Sequence, residues 1–155
     1  MTPSTVTHDT FVIERTYDVP VATVFRAWAD PKRKARWFAG SADALAAGYE
    51  LDFRVGGREV NRGGPPGGPV YTYDAEFRDI VAEQRIVWTT ELLADGTRIS
   101  VTVATVEFHG SGESTRLVLT EQGAYLDGHE TPAQREHGTR LLLDSLAAAL
   151  AAGEI

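Results

Sequence analysis

The chain has 155 residues, 43% hydrophobic and 24% charged, with a formal net charge of −7 and a pI near 5.0; one domain of that size buries roughly 68–70% of the surface its unfolded chain exposes. The acidic balance excludes a nucleic-acid binder, which must bring clustered cations to phosphates, and the lack of cysteine excludes disulfides, thiol catalysis and cysteine metal sites. No apolar run approaches the ~18 residues of a membrane span and the N-terminus has no signal-like apolar stretch, so a soluble, cytoplasmic protein is expected.

Residues 1–9 are polar and read as a flexible arm before a single domain over 10–155. Phe11 to Tyr17 alternates as a first strand, with Arg15 intruding on its apolar face. Asp18-Val19-Pro20 is read as a capped start for a short helix whose stripe is Val21, Val24, Phe25 and Trp28. Asp30-Pro31 starts a second short helix ending near Trp37-Phe38 with Gly40 as its stop. The run Lys32-Arg33-Lys34 with Arg36 is taken as its solvated face.

Residues 41–48 are small and ambiguous. Tyr49 to Phe53 alternates as a strand, Gly56-Gly57 turns, and Arg58 to Asn61 returns. Arg62 to Pro69 is a loop of glycine and proline that cannot hold a sheet ladder. Tyr71, Tyr73, Ala75 and Phe77 then form one face of a clearly two-faced strand. Arg85 to Thr90 is a further strand, Asp95-Gly96 a hairpin turn, and Arg98 to Phe108 a strand whose apolar parity switches after Val103, as a bulge or an apolar surface on both faces would produce. Thr115 to Thr120 is the last strand.

Thr131 to Ala152 is the one long periodic segment, with Leu142, Leu146 and Leu150 four apart, Thr131-Pro132 as a capped start and Gly153 after its end. Consecutive hairpins and one long helix predict an α+β fold with an antiparallel sheet around the helix. Small residues at Gly138, Ser145 and Ala149 on the helix leave room for a cavity. Arg15 and Arg54 are the charged residues placed where they could be interior. The four histidines, His8, His109, His129 and His137, show no metal-ligand spacing, there is no Gly-x-Ser-x-Gly elbow, and no glycine pair forms a phosphate loop before a helix. No metal and no cofactor are expected.

Several phrases carry a resemblance that spans about residues 10–150. They are Val24-Phe25-Arg26-Ala27-Trp28-Ala29-Asp30-Pro31 running into Arg36-Trp37-Phe38, Leu51-Asp52-Phe53-Arg54-Val55-Gly56-Gly57, Glu83-Gln84-Arg85-Ile86-Val87-Trp88-Thr89, and Thr120-Glu121-Gln122-Gly123 followed by the Leu142-Leu143-Asp144-Ser145-Leu146 helix. With the order of elements they resemble the START-like (SRPBCC) superfamily and, more closely, the family named after the activator of the heat-shock protein 90 ATPase. The resemblance implies a helix-grip fold: a curved antiparallel sheet of six to seven strands wrapped around the C-terminal helix, with two short helices after the first strand. It covers one domain, without the separate N-terminal domain of the co-chaperones.

The resemblance implies a small hydrophobic or aromatic ligand, with one acidic or hydroxyl group, held between sheet and helix by Trp37, Phe38, Phe53, Tyr73, Phe77, Trp88, Tyr125, His137, Leu141 and Leu142. It also implies two alternatives. One is a stress-related co-chaperone acting on heat-shock protein 90, carried by the family name alone. The other is a cyclase- or hydrolase-like enzyme using His137 with Tyr73 as acid and base. Within the long helix the leucine end should be structural and the Gly138 end should face the cavity.

Overall fold

The computed structural model describes residues 3–40, 48–153 and 155. The described elements run β1 (Val6–Tyr17), α1 (Val21–Ala29), α2 (Pro31–Phe38), β2 (Glu50–Leu51), β3 (Arg58–Gly63), β4 (Tyr71–Val81), β5 (Arg85–Ala94), β6 (Thr97–Ser111), β7 (Ser114–Leu126) and α3 (Pro132–Ala151). The strands form one antiparallel sheet in the order β1-β7-β6-β5-β4-β3-β2. Hairpins join each strand from β2 to β7 to the next, and β1 returns to pair with β7. The sheet is curved and open, α1 and α2 follow the first strand, and α3 packs with β1 and α2: the helix-grip arrangement.

Local chemistry accounts for the joints. Asp30 accepts hydrogen bonds from the backbone N–H groups of Lys32 and Arg33 and so caps α2, whose first residue is Pro31. Asp95 and Gly96 both have positive φ, as a type I′ turn between β5 and β6 requires. β6 carries a bulge, but at Ile99 rather than after Val103: Leu92 opposes Ser100 while Leu93 opposes Arg98. Beyond it Ser100, Thr102, Ala104, Val106 and Phe108 turn inward, leaving Val101 and Val103 exposed.

Four expectations change. The strand begins at Val6, not Phe11, so much of the expected arm belongs to the sheet; Val6–Thr10 register with Leu126–Gln122. Those side chains are exposed on both faces, so backbone pairing holds them without leaving an alternation to read. α1 is capped by extended Pro20 with no side-chain cap, because a helix starting at Val21 leaves Asp18 outside its first turn. β2 is only two residues long, since the chain then turns back and pairs Gly56 and Gly57 with Phe77. Arg15 and Arg54 are not interior: Arg15 meets Asp144 at 3.4 Å at the surface and Arg54 is exposed beside Asp52. Of the ambiguous residues 41–48, all but Gly48 lie outside the described residues.

The long helix begins with a complete capping box. The Thr131 hydroxyl accepts from Gln134 N–H, and the Gln134 side chain accepts from Thr131 N–H. Thr131→Ala is expected to cost about 1 kcal/mol of stability, read as a lowered urea midpoint with unchanged slope, and Thr131→Ser to recover most of it.

Candidate functional site

The C-terminal half of α3 fills the concavity: Leu143, Leu146, Ala149 and Leu150 are buried against the sheet. The N-terminal half cannot, because Gly138 has no side chain and Thr139 a short one. A cavity of about 240 Å³ lies there, between α3 and the sheet. The tandem helices contribute Trp28, Trp37 and Phe38, β4 gives Tyr73, β5 gives Trp88 and Leu92, and β7 gives Leu119 and Glu121. Glu130 precedes α3, which adds Gln134, Arg135, Gly138, Thr139, Leu142 and Leu143. Gln134 and Gly138 are exposed and form the mouth.

One wall is aromatic and fixed. Trp28 and Trp37 meet edge to face at 4.8 Å, Trp28 and Trp88 lie 5.8 Å apart, and Phe38 meets Tyr73 at 5.1 Å. The Trp37 indole donates to Ala27 O at 2.9 Å. The indole N–H groups of Trp28 and Trp88 are buried and donate to no described residue. Behind the wall lies Lys34, 2% exposed and not on the solvated face expected of it. Its ammonium stands 4.5–5.5 Å from the ring centres of Phe38, Trp28 and Trp37 and bonds Glu59, itself 1% exposed, at 3.0 and 3.1 Å. The Tyr49 hydroxyl donates to the same carboxylate. Burial and the Glu59 charge push the Tyr49 phenol far up, so it stays neutral and keeps its proton.

The opposite end is polar. Arg135 reaches inward from α3, its Nε 3.2 Å from Glu121 Oε2 and its Nη1 3.3 Å from Glu130 Oε1. It also donates to the hydroxyls of Ser100 and Thr102 on β6. Burial works to lower the guanidinium pKa, but the two carboxylates outweigh it and raise it. For Glu121 the balance is reversed: burial raises the carboxyl pKa and Arg135 only partly offsets it. The Arg135 Nε lies off the line that a hydrogen bond needs, so Oε2 accepts none from the described residues. The Tyr73 phenol, raised chiefly by burial, takes a weak hydrogen bond from Thr90 at 3.5 Å.

Of the residues singled out in the sequence, Trp37, Phe38, Tyr73, Trp88 and Leu142 come together at this cavity and the other five do not. Phe53 and Phe77 pack on each other at 5.1 Å, with Phe25 on Phe53 at 5.7 Å, and reach the cavity wall only through Phe108, which meets Phe25 at 5.4 Å and Trp28 at 6.4 Å. Tyr125 folds its ring over Gly123, where a Cβ would stand 3.0 Å from it, and its buried hydroxyl is unpaired and raised to about 12 by burial. His137 and Leu141, the latter 52% exposed, lie on the outer face of α3, and Ser145 is exposed as well. His137 and Tyr73 therefore do not meet, and the acid–base pair expected of them is not formed. Among the described residues no cluster of His, Cys, Asp or Glu could hold a metal ion.

The polar members of the site escape the sequence reading, although each carries a signal. Glu121 shares parity with buried Leu117 and Leu119, which ending the last strand at Thr120 hides. Lys34 sits three and four residues before Trp37 and Phe38, on one helix face with them. Arg135 precedes Thr139 and Leu142 by four and seven, which is the inward stripe.

A family model described as Activator of Hsp90 ATPase homolog 1-like protein matches residues 18–151. The solved structure of Mll3558 from Rhizobium loti is 46% identical, covering 93% of this chain and 98% of that one with a TM-score of 0.86. A protein from Rhizobium leguminosarum is 41% identical, covering 95% and 97%, with a TM-score of 0.88. DynU16, from the dynemicin biosynthetic locus, shares the fold at 22% identity and a TM-score of 0.67, covering 94% of this chain and 48% of that one. No curated protein matches the chain.

Two measurements probe these ionic groups. Lys34→Met should cost about 3–5 kcal/mol by leaving Glu59 buried and unpaired, while Lys34→Met with Glu59→Gln should recover most of the loss in a double-mutant cycle. Glu121 should titrate above the ordinary 4.5 in a carboxyl-detected NMR titration. Because its folded pKa is raised, its contribution to stability is full below about pH 4.5 and is lost as pH rises through the folded value. Glu121→Gln should therefore flatten the fall in stability across that window.

Proposed function

The chain belongs to the family of Activator of Hsp90 ATPase homolog 1-like proteins, and from that premise we propose that it binds a small, largely apolar aromatic molecule between the sheet and the mouth half of α3. The observation that carries this is the unfilled cavity, walled by Trp28, Trp37, Phe38 and Trp88 and open beside Gly138. Ligand sites are concave, mostly apolar and equipped with a few convergent polar groups, and this one has that composition. An apolar protein cavity of ~150 Å³ holds a benzene ring, so about 240 Å³ suits a substituted ring or a small bicycle.

Burial of such a molecule removes apolar surface from water at roughly 25 cal/mol per Å², with ring contacts to the tryptophans adding direction. The family's fold is compatible with this use. A partnership with heat-shock protein 90 rests on the family name and no side chain of the cavity argues for it. No helix among the described residues is long and apolar enough to cross a membrane.

A panel of fatty acids, flavonoids and fused-ring aromatics followed by ¹⁵N NMR should move the indole signals of Trp28, Trp37 and Trp88 together with amides of α3. Gly138→Leu is the matched control, because an added Cβ there meets nothing within 4 Å and leucine is the better helix former by roughly 0.8 kcal/mol. That variant should fold at least as stably and bind at least tenfold more weakly. Panel-wide silence of the indole signals would overturn the proposal, as would binding that Gly138→Leu leaves untouched.

A further inference from the structure

β1 is the outermost strand on one side of the sheet, with β7 as its neighbour. Thr5, just before it, fixes which backbone groups that neighbour uses. Its carbonyl accepts from Asp127 N–H at 2.9 Å, and its own N–H points the same way, to the Asp127 carboxylate at 2.9 Å. In an antiparallel ladder such residues alternate with residues whose N–H and C=O face the other side. The odd-numbered residues of β1 therefore face β7, and Val6, His8, Thr10, Val12, Glu14 and Thr16 turn their backbone groups to the open edge. Among the described residues that edge receives one hydrogen bond, from the Arg15 guanidinium to the Glu14 carbonyl at 3.1 Å.

Edge strands are commonly kept short, or carry lysine, proline or a bulge that blocks further pairing. β1 has twelve residues, none of them lysine or proline, and its register with β7 runs from Val6 to Tyr17 without a shift. A second copy of the same strand fits this edge. Outward-facing backbone must meet outward-facing backbone, so the allowed antiparallel registers set even residues opposite even ones. With Val12 opposite the partner's Val12, Phe11 meets the partner's Ile13 and Asp9 meets the partner's Arg15. The two-fold axis repeats that carboxylate–guanidinium pair, at the closer, non-hydrogen-bonded positions where cross-strand side chains interact best. A slip of two residues either way sets Asp9 opposite Ile13 or Tyr17 and ends the match. Arg15 now meets Asp144 at 3.4 Å, but that carboxylate is 63% exposed and such a surface contact is worth little.

We propose that two copies of the chain pair through β1, antiparallel and centred on Val12, so that the sheet continues from one copy into the other. The contact is isologous, each patch being its own complement. It covers the exposed Val12 side chain, 52% accessible, and satisfies the row of open backbone groups. No residue of β1 lines the cavity, so pairing and ligand binding stand or fall separately.

Sedimentation equilibrium of the intact chain tests it. A dimer of twice 16.8 kDa is expected by about 100 μM protein. Val12→Pro removes an N–H that faces the open edge and no rung to β7, so it should keep the native circular dichroism and weaken the dimer at least tenfold. Arg15→Asp should weaken it about tenfold by opposing two carboxylates, and adding Asp9→Arg should restore it to within a few fold. Should Val12→Pro fail to fold, the charge exchange decides alone. The chain has no cysteine, so Val12→Cys should cross-link to its copy with a short bismaleimide, whereas Val101→Cys, exposed on β6 two strands away, should not. A chain that stays monomeric leaves the edge to a strand from another protein and overturns the proposal. A dimer that Val12→Pro or Arg15→Asp leaves untouched overturns it too, as does a loss that Asp9→Arg fails to restore.

Discussion

One curved sheet and one helix cannot fill the space between them along the whole helix, and the fold's solution at the unfilled end is ionic. At the C-terminal half of α3 the gap closes with leucine. At the other half Arg135 spans it, bonding Ser100 and Thr102 on β6 and pairing with Glu121 on β7. A guanidinium is long enough to cross a space that Gly138 and Thr139 leave open, and its planar fork engages several acceptors at once. The helix is thus fastened over a void that its own small residues create.

The aromatic wall has two faces with different duties. Toward the cavity Trp28, Trp37 and Phe38 offer apolar surface; away from it the same rings surround the Lys34 ammonium. Lys34 joins α2 to β3 through Glu59, near the thin edge of the sheet where β2 has only two residues. A buried ion pair is a weak source of net stability but a strong source of registry, because either partner alone is costly. Here it sets where α2 lies, and so where the wall stands.

The framework is legible in the sequence because its signals are local. Asp30-Pro31, Asp95-Gly96 and Thr131-Pro132 each dictate a joint through their own backbone chemistry, whereas the parity switch along β6 points to a bulge four residues too late, because Val101 and Val103 are apolar yet exposed. Aromatic members of the cavity are legible for the same reason: a two-faced strand puts Tyr73 inward. The polar members are not, because charge is read as exposure by default. Lys34 is buried only by virtue of Glu59, 25 positions along the chain, and Arg135 reaches hydroxyls as far away as Ser100, 35 positions before it. Those partners meet only once the sheet and helices have come together, so no short window of sequence reveals them. His137 and Leu141 are misplaced by the converse effect, since Arg135 on the inner stripe and Leu141 on the outer one blur the helix's polarity.

The pairing of β1 with β7 has a kinetic consequence. Asp127 accepts from Thr5 N–H across a separation of 122 positions, and every rung between the two strands links the start of the chain to its far end. Hairpins β3 to β7 can zip up in sequence as they leave the ribosome, but β1 must wait without a partner until β7 has emerged. Such non-local closure is slow compared with hairpin formation. The exposed, mostly polar side chains of Val6–Thr10 suit that wait, whereas Phe11, Ile13 and Tyr17 on the other half of the strand leave apolar surface open to other chains until β7 arrives.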